Sequence, residues 1–269
     1  MGVAVQETAS MPDAFEQYLT PLIFERFAAM LADAIIRTRP SNVIEIGAGS
    51  GILTRALVPN LDFSTPYYAV DKNQFMLERA AFRQPKPNKV EWLNADAAQL
   101  PFDDQSVDIV CCHFGVMFFD NRIAVYREAK RVLRKGGRLI FNTWDHLKFN
   151  TFAKNIIEAT SFLYPEDPPD FLVKSAHGYH DIGLIKREIA AAGFIRLRIR
   201  STSDISTAPT AMHPAIAYCQ GTSLRNEIEL REPGGLHRVT EIVAKSIEKE
   251  FGPGPVSAKT KGHLVTATV

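Results

Sequence analysis

Residues Val43 to Gly51 read Val-Ile-Glu-Ile-Gly-Ala-Gly-Ser-Gly, a short apolar strand running directly into three glycines spaced two apart. No other stretch constrains the fold as much. Val43, Ile44 and Ile46 suit a strand covered on both faces, and the glycines let the backbone turn sharply and approach a ligand where a Cβ would collide. From Ile52 the pattern becomes helical, with Leu53, Ala56 and Leu57 on one side, so the amides at the helix start can meet a negatively charged group. Strand, glycine turn and helix predict an α/β fold with a ligand at a strand end.

The alternation continues on both sides of this unit. Residues 1–13 read as loosely ordered, and a helix is expected over 14–38, where Phe15, Leu19, Leu22, Ile23, Phe27, Met30, Leu31 and Ile35 recur at helical spacing before Pro40. Strands are predicted at 42–46, 67–70, 90–94, 107–113 and 139–144, and helices at 52–58, 74–83 and 122–133, the last closed by Gly136-Gly137. Such alternation implies a doubly wound parallel sheet with helices on both faces. Beyond Trp144 the rhythm breaks. A helix at 149–163 leads to a loop at 164–181 containing Pro165, Pro168 and Pro169. A regular helix (182–192) and strand (194–200) follow, then an irregular stretch (201–233), a helix (236–251) and a final strand (259–269). Residues 1–269 thus read as one domain, with a core at 40–145 and two insertions, 145–181 and 201–251, as candidates for a cap over the ligand-binding edge.

Composition narrows the function classes. The chain has 269 residues, 46% of them hydrophobic, enough for one large core. Its net charge of +1 gives no electrostatic argument for nucleic acid or for an anionic membrane. Cys111 and Cys112 are adjacent in an apolar run and Cys219 stands alone, a spacing that supports neither a disulfide framework nor a metal site. No signal-like start or bilayer-length apolar run is present. The expectation is a cytoplasmic protein, monomer or homodimer, acting on a small molecule.

A glycine loop alone serves several ligands, including NAD and S-adenosylmethionine (SAM). Here Gly47, Gly49 and Gly51 give G-x-G-x-G with Glu45 two residues ahead, whereas the dinucleotide fingerprint is G-x-G-x-x-G. Asp71 ends the second strand, where a carboxylate can accept both ribose hydroxyls of either cofactor. Asp96 is the discriminating acid. It follows Val90 to Ala95 and precedes Ala97-Ala98-Gln99-Leu100-Pro101-Phe102, a position from which it can accept from an adenine amino group while Ala97 offers its amide.

In this ordered set the chain resembles the class I SAM-dependent methyltransferases, in detail the small-molecule branch that includes the ubiquinone and menaquinone C-methyltransferases. Glu45 to Gly51, Asp71, Asp96 with Leu100-Pro101-Phe102, Ser106 to Val110 and Arg131 to Leu139 carry the resemblance, over about residues 40–145. Lys135 stands where the family has a proline. The resemblance implies a Rossmann-like sheet, mostly parallel with an antiparallel last strand. It also implies SAM held by Glu45, Gly47, Ala48, Gly49 and Gly51, with its ribose on Asp71 beside Lys72, its adenine near Asp96 and Ala97, and its methionine end near His113 and Phe114. The helix at 14–39 would close over the cofactor, bringing Tyr18 to it.

SAM's sulfonium already activates the methyl group, so the protein mainly aligns the reactants and excludes water. Tyr18, Phe114, Phe118 and Phe119 offer aromatic faces to a cation, although the phenylalanines equally suit a core. An acceptor that must lose a proton needs a base. His113 and His146 are the candidates at strand ends, with His177, His180 and His213 further along; the first could be a satisfied histidine, and His177 and His180 read as a solvated loop. Asp71 and Asp96 could instead cap helices. The basic residues Arg127, Lys130, Arg131, Arg134, Lys135 and Arg138 fit a solvated helix face rather than an RNA site, and the cysteines fit inert packing. An Asp-Pro-Pro-Tyr motif of amino-group methyltransferases is absent after the fourth strand, where His113-Phe114-Gly115-Val116 stands. An NAD-dependent oxidoreductase, or a non-catalytic SAM-binding protein, are the alternatives.

Overall fold

The computed structural model describes residues 9–86 and 89–269. They form two compact units, each built from separated stretches of chain: one of residues 25–146, 176–202 and 261–269, the other of residues 9–24, 147–175 and 203–260. Most of both insertions, together with the N-terminal helical residues, belong to the second.

The sheet has seven strands: β1 (Val43–Ile46), β2 (Tyr67–Asp71), β3 (Val90–Asn94), β4 (Val107–His113), β5 (Leu133–Trp144), β6 (Arg196–Ala208) and β7 (Val256–Thr268), in the order β3-β2-β1-β4-β5-β7-β6. β1 pairs in parallel with β2 and β4, β2 with β3, and β4 with β5, while β7 runs antiparallel to β5. All four residues of β1 are buried, as a strand covered on both faces requires. Leu31, Ile35, Val43, Leu53, Leu57, Tyr67, Leu77, Ile109 and Ile140 pack into one cluster, each large apolar side chain contributing on the order of 1.5–3 kcal/mol. The strand order reverses direction between β1 and β4, and in open α/β sheets the crevice outside that point is where ligands bind.

Several sequence expectations change. Gly136-Gly137 does not close the preceding helix, which ends at Val132 and passes straight into β5. Val107 faces Leu133 and Ile109 faces Arg138, so β5 bulges over residues 134–137 and Gly136, at φ +81°, supplies the left-handed backbone that the bulge needs. The stretch 201–233 is not irregular: β6 continues to Ala208, and helices Met212–Gly221 and Leu224–Arg231 follow. The loop 164–181 contains a helical turn at Phe171–Ala176. Residues 11–13 are helical, started by Ser10, whose side chain accepts from the Asp13 amide; residues 1–8 of the expected loose segment lie outside the described residues. The helical run reaches Ile36, with turns widened over Phe15–Phe24 around Pro21, which lacks the ladder's N–H. Among the described residues no helix is long and apolar enough to cross a membrane, and no group of three metal-ligating side chains occurs.

Candidate functional site

The site is built on the carboxyl ends of β1, β2 and β4. Gly47, Gly49 and Gly51 all have left-handed backbones, φ +63°, +52° and +77°, which a side chain would resist. The loop is tied across the neighbouring strand: the Ala48 amide donates to Val70 O (3.0 Å) and the Gly49 amide to Asp71 Oδ2 (2.8 Å). Asp71 Oδ1 accepts the Asn73 amide at 2.8 Å. A carboxylate has about four acceptor positions, so these two amides leave Asp71 capacity for a pair of hydroxyls. Lys72 is exposed beside it. One strand over, Asp96 is exposed and its Oδ1 accepts the Ala98 amide (2.8 Å), with Ala97 half-buried between them.

Glu45 is held inside the fold. It is buried within β1, and its carboxylate accepts hydrogen bonds from the Thr54 hydroxyl and from Tyr67 Oη (2.6 Å). Burial pushes its pKa up to about 7, against the pull of those two donors and of Arg55. Its connection to the glycine loop therefore runs through the backbone and through Thr54 in the helix beyond.

After β4 the chain bends against the same loop. Gly115 has no room for a side chain, since a Cβ there would lie 2.7 Å from Cys112 Sγ and 3.7 Å from Gly47 O. Phe114 adopts φ +51°, an uncommon conformation for a bulky residue, of the kind found at functional sites. Its ring does not face outward as an aromatic wall. It stacks on Trp144 at 3.8 Å with Phe27 edge-on to both, so only its backbone remains for the crevice. Phe119 is half-buried, with its Cζ 3.7 Å from where a Gly47 Cβ would be, and Phe118 is exposed. His113 Nδ1 is 3.3 Å from Asn142 Oδ1, and Asn142 Nδ2 donates to Phe27 O, which orients the amide and makes Nδ1 the protonated nitrogen.

The structure thus brings together Gly47 to Gly51, Asp71 and the bend at His113 to Phe119, with Asp96 ending the adjacent strand. Tyr18 belongs to the other unit, where its ring lies edge-on to His213 (5.6 Å), whose Nδ1 is 3.0 Å from Thr210 Oγ1. His146 follows β5 and is exposed.

Sequence reading missed a polar cluster at the end of β5. Asp145 is buried; burial alone would raise its pKa, but Lys261 Nζ at 2.9 Å, the His146 amide and nearby His263 hold it below the usual range. His177 and His180, expected in a solvated loop, are buried and half-buried. His177 Nδ1 is 2.9 Å from Asp145 O, and its burial lowers its pKa to about 4. The only sequence signal was the density of histidines around Tyr179, just ahead of the cap at Asp181.

A family model described as a methyltransferase domain matches residues 44–141. The demethylmenaquinone methyltransferase of Thermotoga maritima is 32% identical over 113 residues, 41% of this chain and 46% of that enzyme, so the match spans less than half the relative's length. The demethylmenaquinone methyltransferase of Staphylococcus aureus (strain JH9) is 24% identical over 170 residues, 60% of this chain and 70% of the enzyme. Among solved structures, the YcgJ protein of Bacillus subtilis aligns with a TM-score of 0.56 and 19% identity, covering 89% of this chain and 97% of its own. That likeness is one of fold.

Proposed function

We propose that this chain, whose residues 44–141 match a methyltransferase domain, transfers a methyl group from SAM to a small organic acceptor. The observation that carries this reading is the pinned glycine loop, with the Gly49 amide on Asp71, at the point where the sheet reverses direction. The donor set fits the cofactor: left-handed glycines allow close approach, and Asp71 retains acceptor capacity for a vicinal diol.

In this proposal Gly47, Ala48, Gly49 and Gly51 supply the backbone cradle, and Glu45 holds it from behind through Thr54. Asp71 receives the ribose hydroxyls with Lys72 beside it, Asp96 and Ala97 receive the adenine, and the backbone of His113 and Phe114 borders the methionine end. Tyr18 is proposed as a further contact. SAM, when bound, supplies a methyl carbon made electrophilic by its sulfonium. The protein's part is to orient the acceptor behind that carbon and to keep water away. Acceptor choice is proposed to rest with the two insertions, residues 145–181 and 201–251, which lie outside the matched residues 44–141. The names of the two relatives support a quinol-like acceptor, and the balanced charge supports a small molecule over nucleic acid.

Titration calorimetry tests the reading, with SAM and S-adenosylhomocysteine added to the wild type and to Asp71→Asn. Binding by the wild type, weakened tenfold or more in the variant, is expected, since hydrogen bonds to charged groups are worth about 1.5–3 kcal/mol. Absence of binding by the wild type defeats the proposal. Transfer of labelled methyl to an acceptor then separates an enzyme from a protein that only binds SAM.

A further inference from the structure

The loop bearing His177 and His180 is fixed against the end of β5 by side chains that the sheet does not need. Thr143 Oγ1 donates to Tyr179 O at 2.8 Å, His177 Nδ1 meets Asp145 O at 2.9 Å, and His180 Nδ1 meets His177 O at 2.7 Å. A carbonyl only accepts, so both imidazoles carry a proton on Nδ1, and the neutral form of each has its lone pair on Nε2. The two differ in surroundings. His177 is buried and neutral, a structural group, whereas His180 is half-buried and its ring meets that of exposed His146 edge-on at 4.6 Å.

The segment is held from its other end as well. Asp181 caps the Ile182–Ala191 helix by accepting the Gly183 amide at 2.7 Å. Glu188 on that helix takes Arg122 at 2.9 and 3.1 Å, and the same guanidinium lies 4.2 Å over the Tyr179 ring. A side chain locked by such supports is of the kind that catalytic geometry requires.

Position in the fold connects His180 to the crevice. β5 is the neighbour of β4, Phe114 after β4 stacks on Trp144 of β5, and Trp144 lies 6.2 Å ring to ring from His177. Packed rings therefore run from the bend beside the glycine loop to the loop that carries His180.

We propose that His180 is the general base of the transfer, its Nε2 removing the hydroxyl proton of a phenol- or quinol-type acceptor. This rests on the methyltransferase reading above. The O–H bond breaks as the proton moves to Nε2, the oxygen pair forms the O–CH3 bond, and the donor's C–S bond breaks with its pair going to sulfur. The imidazolium then returns its proton to water. An imidazole is matched to a hydroxyl of phenolic acidity, not to an alkanol, and a thiolate or a free amine would not need it. The titratable and charged groups around it are His146 and Asp145 at the end of β5, Lys261 and His263 on β7, and His177 and Asp181 on its own segment.

The test combines 15N NMR of the histidine rings with turnover, using His180→Asn, which keeps a donor toward His177 O and lacks a basic nitrogen. In the neutral ring the His180 resonances are expected to show a protonated Nδ1 and a bare Nε2; a neutral ring with its proton on Nε2 overturns the proposal, whether or not the variant folds. Labelled methyl from SAM is then offered to 1,4-naphthohydroquinone, catechol and 4-nitrophenol. The variant should lose about 100-fold or more on the first two, far less on 4-nitrophenol, which ionises unaided near neutrality, and nothing in SAM affinity. A loss of only a few-fold on all three overturns the assignment of the base, and no transfer by the wild type with SAM bound overturns the acceptor class. Failure of the wild type to bind SAM would instead defeat the methyltransferase reading itself.

Discussion

Replacing Glu45 by glutamine should flatten the pH dependence of stability around neutrality. The wild-type side chain is buried in β1, and its pKa is raised from 4.5 to about 7 by desolvation, with Thr54 and Tyr67 opposing. A folded-state pKa above the unfolded value means that the protonated form is the one the fold favours. Its stabilising contribution is complete below pH 4.5 and is lost as pH rises through 7, where the fold must hold a desolvated carboxylate. At about 1.4 kcal/mol per pK unit, the rise corresponds to roughly 3 kcal/mol. Glutamine keeps an oxygen for Thr54 and Tyr67 and never ionises. Urea unfolding of both proteins without cofactor at pH 5, 6, 7 and 8 would measure it. The gap between variant and wild type should move in favour of glutamine by about 3 kcal/mol from the acid to the alkaline end. A gap constant to within about 1 kcal/mol, or one that moves the other way, would refute the reasoning.

His177 should act in the opposite sense: its pKa is lowered from 6.5 to about 4 by burial, so its contribution is present above pH 6.5 and lost as pH falls through 4. His177→Asn should remove about 3 kcal/mol of that acid sensitivity, read as the difference from wild type in an unfolding series extended down to pH 3. Gly115→Ala should cost about 1–3 kcal/mol by overpacking, because its Cβ would lie 2.7 Å from Cys112 Sγ. A Cys112→Ala background should recover most of that cost in a double-mutant cycle, and full additivity would rule out the clash. Arg122→Lys should lower stability by about 1–2 kcal/mol and speed exchange of the Tyr179 amide, since lysine replaces neither the two-pronged contact with Glu188 nor the stacking on Tyr179. Unchanged exchange would detach Arg122 from the histidine loop.

What the sequence reveals follows from how local the cause is. β1 and β4 are readable because buried parallel strands are rich in apolar residues, and the glycine turn is readable because its backbone angles restrict residue type. β6 extends past its predicted end because its residues alternate between exposed and half-buried rather than forming an apolar run. The helix Met212–Gly221 escapes for the contrary reason. It is buried nearly all round, which erases the amphipathic period by which a helix is recognised. Glu45 illustrates a different limit: its place before the glycines is plain, yet which way its carboxylate turns depends on Thr54 and Tyr67, distant in sequence. The histidine loop depends likewise on Thr143 and Asp145, more than thirty residues before it.

The strand order β5-β7-β6 has a consequence for how the chain is made. β6 leaves the ribosome well before β7, yet β7 is its neighbour in the sheet and stands between it and β5. Until residues 256–268 emerge, β6 must wait without its partner, and β5 keeps a bare edge of the kind that recruits other chains. The alternating polar residues of Arg196–Ala208 suit such a delay. β7 enters between two strands already made, and its insertion also delivers Lys261 and His263 to Asp145, so the polar cluster at the end of β5 is complete only once β7 is in place.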